Sequence, residues 1–232
     1  MAKLVMVLRC LDGIVIGGDV PPGTILENEA IIRPLSDFVA IIIHDNTPFG
    51  DLLLSEYLAS SPKLDAPIKE INEQVRKIFD RKCAELHSQG EKVPFPMGII
   101  IAGIDDNGKG KMVFSGLHVG RRFKPIDFKG NLFGGECNAI ARLLDKKIHS
   151  FNISVERGLQ HAAFYFTETR SVPAIDIHSG LSLAQITHDD GFRAIESQKA
   201  KQYIKTANRW SESFFGSCSS LFTPIPDNKT KR

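Results

Sequence analysis

Residues 1–19 read MAKLVMVLRCLDGIVIGGD, and two short apolar runs within them decide how the fold begins. Leu4 to Leu8 and Ile14 to Ile16 are separated by Leu11-Asp12-Gly13. Glycine takes positive φ without steric cost and aspartate tolerates turn geometry, so the spacing predicts a tight hairpin of two strands. Both runs are continuously apolar rather than alternating. A strand without a polar face is covered on both sides, which places this hairpin inside the protein.

Working outward, Ala30 to Leu35 and Phe38 to Ile43 form a second apolar hairpin around Ser36-Asp37, expected to extend the first sheet. It follows an irregular loop through Pro21, Pro22 and Gly23. Helical periodicity takes over from Thr47 to Ala59 and from Ala66 to His87, with Pro62 and Pro67 between the two. In the second helix Ile68, Ile71, Val75, Ile78 and Phe79 share one face, opposite Lys69, Glu70, Glu73 and Lys77. Cys83 and Leu86 lie beyond that stripe and are a candidate subunit contact.

Gly90 ends the helix, and Met97 to Ile104 reads as a buried strand closed by Asp105-Asp106-Asn107-Gly108. Lys111 to Ser115 and Arg121 to Ile126 continue the sheet before Gly134-Gly135 leads into a helix from about Glu136 to Lys147. Ser154 caps the next helix, which carries Val155, Leu159, Ala162, Ala163 and Phe166 on one side and is stopped by Pro173. Leu181 to Thr187 and Phe192 to Ile195 form a last hairpin around His188-Asp189-Asp190-Gly191. Ser197 then caps a closing helix through about Phe215, with Ala200, Tyr203, Ile204, Ala207 and Trp210 inward.

Two groups of strands with helices paired outside them predict an α+β fold, a four-layer αββα sandwich of two stacked antiparallel sheets with Val15, Ile41, Ile100 and Ile186 in its interior. Residues 1–216 are expected to form one domain, and residues 217–232, rich in Ser, Pro and charge, a loose tail.

Composition narrows the function classes. Lys and Arg number 29 against 27 Asp and Glu, a formal charge of +2, which is far from the basic field that nucleic-acid binding requires. Cys10, Cys83, Cys137 and Cys218 are widely spaced and read as reduced thiols rather than a disulfide or zinc framework. His44, His118, His161 and His178 show no ligand spacing either, so neither a metal nor a cofactor is expected. The opening apolar segment is broken by Arg9 and Asp12, is too short to span a bilayer and lacks a small-residue cleavage site, so a cytoplasmic protein is expected. The Gly-Gly pairs at 17–18 and 134–135 lack the lysine and spacing of a phosphate loop and read as close backbone packing.

Four segments carry a resemblance to a known family: Asp12-Gly13-Ile14-Val15-Ile16-Gly17-Gly18-Asp19, residues 94–105 (PFPMGIIIAGID), Gly134-Gly135-Glu136 through Leu144-Asp145, and Asp176-Ile177-His178-Ser179-Gly180. In this order and spacing the chain resembles 20S proteasome-type subunits, of the N-terminal-nucleophile hydrolase fold, from Leu4 to about Thr187. The resemblance implies retained family positions at Asp19, Asp176 and Ser179. It places Lys3 where active members carry the nucleophilic threonine, Ile31 where they carry a lysine, and Gly135 where they carry a helix-start serine. By strand alternation Arg33 shares a face with Ile31, but a guanidinium stays protonated and is no base. Cys10, at the hairpin turn, is the nearest thiol.

The resemblance therefore implies a subunit without threonine-peptidase chemistry, a scaffold, assembly or binding component within a homo-oligomer or beside other proteasome-type subunits. Two alternatives stay open. One is a divergent peptidase or amidohydrolase using an unrecognised nucleophile, such as Ser179 with Asp19 and Asp176. The other is a binder of a small molecule or peptide in the same cleft, since fold does not determine function. Asp19, Asp176 and Ser179 equally suit a structural role, because short polar side chains readily hold backbone donors.

Overall fold

The Asp12-Gly13 turn joins β1 (Val5–Arg9) to β2 (Gly13–Val20) as an antiparallel pair, with Val5 opposite Gly18 and Arg9 opposite Ile14. All of β2 is buried, as its unbroken apolar character requires. The computed structural model describes residues 3–21, 31–44, 47–60, 62, 65–92, 97–105, 110–117, 124–135, 137–148 and 152–219. Its further elements are β3 (Ile32–Ser36), β4 (Val39–His44), α1 (Thr47–Ala59), α2 (Ile68–Ser88), β5 (Met97–Ile104), β6 (Gly110–Leu117) and β7 (Lys124–Phe128). After them come β8 (Leu132–Gly134), α3 (Asn138–Ile148), α4 (Val155–Ser171), β9 (Gly180–Thr187), β10 (Gly191–Ala194) and α5 (Ser197–Ser219).

The strands form two antiparallel sheets, ordered β10-β9-β2-β1-β8 and β3-β4-β5-β6-β7. The hairpin β3–β4 thus belongs to the second sheet and does not extend the first. Both outer edges of the β1–β2 pair are already taken: β9 runs along β2 from Gly13 to Val20, and β8 pairs with β1 from Val5 to Val7. The end strands are β10 and β8, four and three residues long, and β3 and β7, which contain Pro34 and Pro125.

Three buried clusters set the layers. Val5, Val7, Ile14, Ile16 and Ile186 of the first sheet meet Ile32, Ala40, Ile42, Ile100 and Ala102 of the second. Leu35, Val39, Ile41, Ile43, Ile99 and Ile101 pack against Phe49, Leu53 and Tyr57 of α1 and Ile71, Val75 and Phe79 of α2. On the far side, Leu4, Met6, Leu8, Val15 and Leu183 meet Ala141 of α3, Leu159, Ala163 and Phe166 of α4, and Ala200, Tyr203 and Ala207 of α5. The order is helices, sheet, sheet, helices, with two helices on one side and three, not a pair, on the other. Val15, Ile41, Ile100 and Ile186 are all interior. Cys83 and Leu86 are half-buried and pack against the α1–α2 core, extending its main stripe.

Local chemistry places the helix starts. Ser154 caps α4 by accepting from the Arg157 N–H at 3.3 Å, and Asp12 Oδ1 accepts from the Val155 N–H at 2.7 Å, fastening the first hairpin to the same helix end. The helix α5 runs to Ser219 rather than Phe215. The loop around Pro22 and Gly23, the turn residues 106–109, the start of the Arg121 strand, Glu136, and the tail from residue 220 lie outside the described residues. Among the described residues no helix is long and apolar enough to cross a membrane.

Candidate functional site

Asp19 stands near the end of β2 and is fully buried. A carboxylate is costly to bury unless donors replace its water. Here backbone amides do so. Oδ1 accepts from the Lys3 N–H at 2.7 Å and the Leu4 N–H at 2.6 Å, while Oδ2 accepts from the His178 N–H at 2.9 Å. Asp19 therefore pins two segments to β2: the residues entering β1 and the loop leading to β9.

Lys3 is held at every polar group. Its carbonyl accepts from the Cys137 N–H at 2.9 Å, and its ammonium lies 2.5 Å from Asp176 Oδ2. The Asp176 side chain is 93% exposed and that of Lys3 33%, so this pair lies at the rim, above the buried Asp19. The hydrogen bond from Lys3, then the ammonium's charge, holds the Asp176 carboxyl below the usual aspartate value.

Gly135 closes the other side of Lys3. Its φ is +82°, and a Cβ built on it would lie 2.3 Å from the Lys3 carbonyl oxygen. The backbone here has the conformation and clearance of glycine alone, and a side chain at this position would displace Lys3. The Asn138 amide then bonds back to the Gly135 carbonyl at 2.6 Å, securing the start of α3. Ile31, just ahead of β3, packs against the inter-sheet core, with its Cδ1 over Gly18, where a Cβ would come within 2.2 Å. Lys3, Asp19, Asp176 and Gly135 thus surround one point, and Ile31 reaches the residue before Asp19.

Arg33 departs from expectation, and Ser179 and Cys10 complete the surroundings. Arg33 does not share a face with Ile31: its guanidinium lies 2.8 Å from Asp51 of α1, on the helix side of the sheet. Ile31 precedes the first residue of β3, so strand alternation does not relate the two. Ser179 is exposed, and its bonded group is the carbonyl, which accepts from Arg170 Nη1 at 3.3 Å. Cys10 packs against the α4 side of the first sheet, and burial, with help from Asp12, pushes its thiol up to about 12. A thiol so suppressed is a poor nucleophile near neutral pH.

Neither a protein-family model nor a curated protein matches the chain.

The geometry therefore bears the chemical argument by itself. The Lys3 nitrogen is a peptide amide, following Ala2, and donates to Asp19. Its side chain is an ammonium engaged by a carboxylate, not a hydroxyl or thiol. Among the described residues no group of three His, Cys, Asp or Glu side chains is placed to hold a metal ion. Sequence reasoning missed the His178 and Cys137 amides and the Arg170 guanidinium. The amides carry no residue-type signal, because any non-proline residue supplies an N–H.

Proposed function

We propose that this chain is a proteasome-type subunit of the N-terminal-nucleophile hydrolase fold that lacks peptidase chemistry and serves as a scaffold, assembly or binding component. The observation that carries the reading is the occupancy of the nucleophile position by Lys3, whose amide is bonded to Asp19 and whose ammonium is bonded to Asp176. The layer order of helices, sheet, sheet and helices supports the fold part of the reading. The clearance at Gly135 supports the chemical part, since the serine of active members cannot be introduced there without moving Lys3.

Asp19 and Asp176 act in this reading as fasteners. They hold the entry to β1 and the loop before β9 in a fixed relation, and the Lys3 carbonyl, accepting from the Cys137 N–H, adds the residues before α3, which suits a subunit whose task is to present a constant surface. We further propose that the protein works as a homo-oligomer or beside another proteasome-type chain, in the cytoplasm.

Two measurements test this. Purified protein is expected neither to hydrolyse fluorogenic proteasome peptides nor to react with an epoxyketone probe. Turnover that Ser179→Ala abolishes would replace this proposal with the divergent hydrolase. Light scattering over a concentration series is expected to give a discrete multiple of the 25.7 kDa chain, and a constant single-chain mass would remove the assembly role.

A further inference from the structure

We infer that the cleft between α4 and α5 is a binding site for a small organic carboxylate with a short aliphatic part. The cleft has a volume of 240 Å³ and is lined by Thr167, Arg170 and Ser171 of α4 and by Ile204 and Asn208 of α5. Pockets for drug-sized ligands span about 300–1,000 Å³. The smaller volume selects a fragment-sized occupant.

The sign of that occupant follows from the charges around the cleft. Lys201, Lys205 and Arg209 succeed one another at four-residue spacing along α5 and are exposed. Residues three and four apart are neighbours on a helix surface, so Lys201 and Lys205 flank Ile204 and Asn208. Among the described residues none of these three cations is in an ion pair. Arg170 adds a fourth charge in the cleft wall itself. Among the described residues it makes one bond, to the Ser179 carbonyl, which is long at 3.3 Å and leaves most of its five N–H donors available. Among the described residues, opposing charge beside the cleft comes from Glu168, buried on α4 one turn before Ser171, from Glu212, one turn beyond Asn208, and from the partial negative charge at the end of α4. Lys201, Lys205 and Arg170, the three cations so placed, outnumber the two carboxylates.

The donors in the wall favour a carboxylate. Arg170 offers a planar fork and Asn208 an amide N–H. Ser171 is already committed, donating to the Glu168 carbonyl at 2.8 Å. Ile204 supplies the apolar surface against which a short chain would lie.

The carboxylate could belong to a free acid or to a peptide C-terminus, and the test separates them. Hexanoate, hexylamine, N-acetyl-Ala-Leu and its C-terminal amide are titrated into full-length protein while backbone amide resonances are followed by NMR. The expected result is saturable shifts at Thr167, Arg170, Ser171 and Asn208 with a Kd on the order of 1 mM, typical of a fragment. Either hexanoate or the free-acid dipeptide is to give them, with no saturable response to hexylamine or to the amide. Arg170→Gln is expected to weaken binding at least tenfold, and Asn208→Asp, which leaves the Ser179 contact in place, to do the same. Non-saturating shifts, an equal response to hexylamine, or unchanged affinity in both variants would overturn the assignment.

Discussion

The ammonium of Lys3 lies 2.5 Å from Asp176 Oδ2, joining the entry to β1 to a loop 173 residues further along the chain. Because Asp176 is exposed, this contact orients the two segments more than it stabilises them; exposed ion pairs contribute little.

The pair fixes a pH dependence. The Asp176 carboxyl is held below its ordinary value of 3.8, so its contribution is fully present above that value and is lost as pH falls through the lowered one. In Lys3→Met the Asp176 titration, followed by carboxyl-carbon NMR, is expected to move up to the ordinary value, with little change in stability at pH 7. An unmoved titration would mean that the two charges do not meet in solution.

Gly135→Ser tests whether the missing helix-start serine can be restored. A non-glycine residue at positive φ costs about 1–3 kcal/mol, and the Lys3 carbonyl stands where the Cβ would go. The variant is expected to unfold at lower urea concentration and to gain no peptidase activity, alone or with Lys3→Thr. A midpoint equal to that of the parent would show that Lys3 moves aside freely.

Cys10 is expected to resist alkylation in the native state. With its thiol pushed up to about 12, roughly one part in ten thousand is ionised at pH 8. Iodoacetamide followed by peptide mass mapping is expected to leave Cys10 unmodified until urea unfolds the chain. Rapid native labelling would place the thiol in solvent.

Ile42 is fully buried between the sheets and sits opposite Ile100 on β5. Ile42→Ala removes packing from both sheets at once and is expected to cost about 2–5 kcal/mol in urea denaturation. A loss under about 0.5 kcal/mol, the level of an ordinary surface substitution, would argue against a close-packed interface there.

Long apolar runs were the readable part of this chain. Met97–Ile104 and Thr47–Ala59 stand where the sequence placed them, the first as an eight-residue apolar run closed by a turn and the second as a thirteen-residue stretch of helical length. The strand β8 was not readable: three residues, the last of them the first glycine of a pair, are too few to show any period. Nor was the sheet to which β3–β4 belongs, since alternation records that a face is buried but not which strand lies alongside. The same limit hid the separation of Ile31 from Arg33, which turns on where β3 begins. In the candidate site, Lys3, Asp19, Asp176 and Gly135 were named together only through the resemblance to proteasome-type subunits; nothing in the residues alone brings positions so far apart in the chain to one place. The amides of Cys137 and His178 that complete the site were not legible, because their contribution belongs to the backbone.

The end strands described above bear on how this protein meets others. A proline has no N–H to offer a neighbouring chain, and strands of three or four residues give too short a template for a stable ladder. With Pro34 in β3, Pro125 in β7, and β8 and β10 this brief, all four margins resist extension by a foreign strand. Growth of the native protein into cross-β fibrils is thereby discouraged, and so is capture of extended peptides by strand addition.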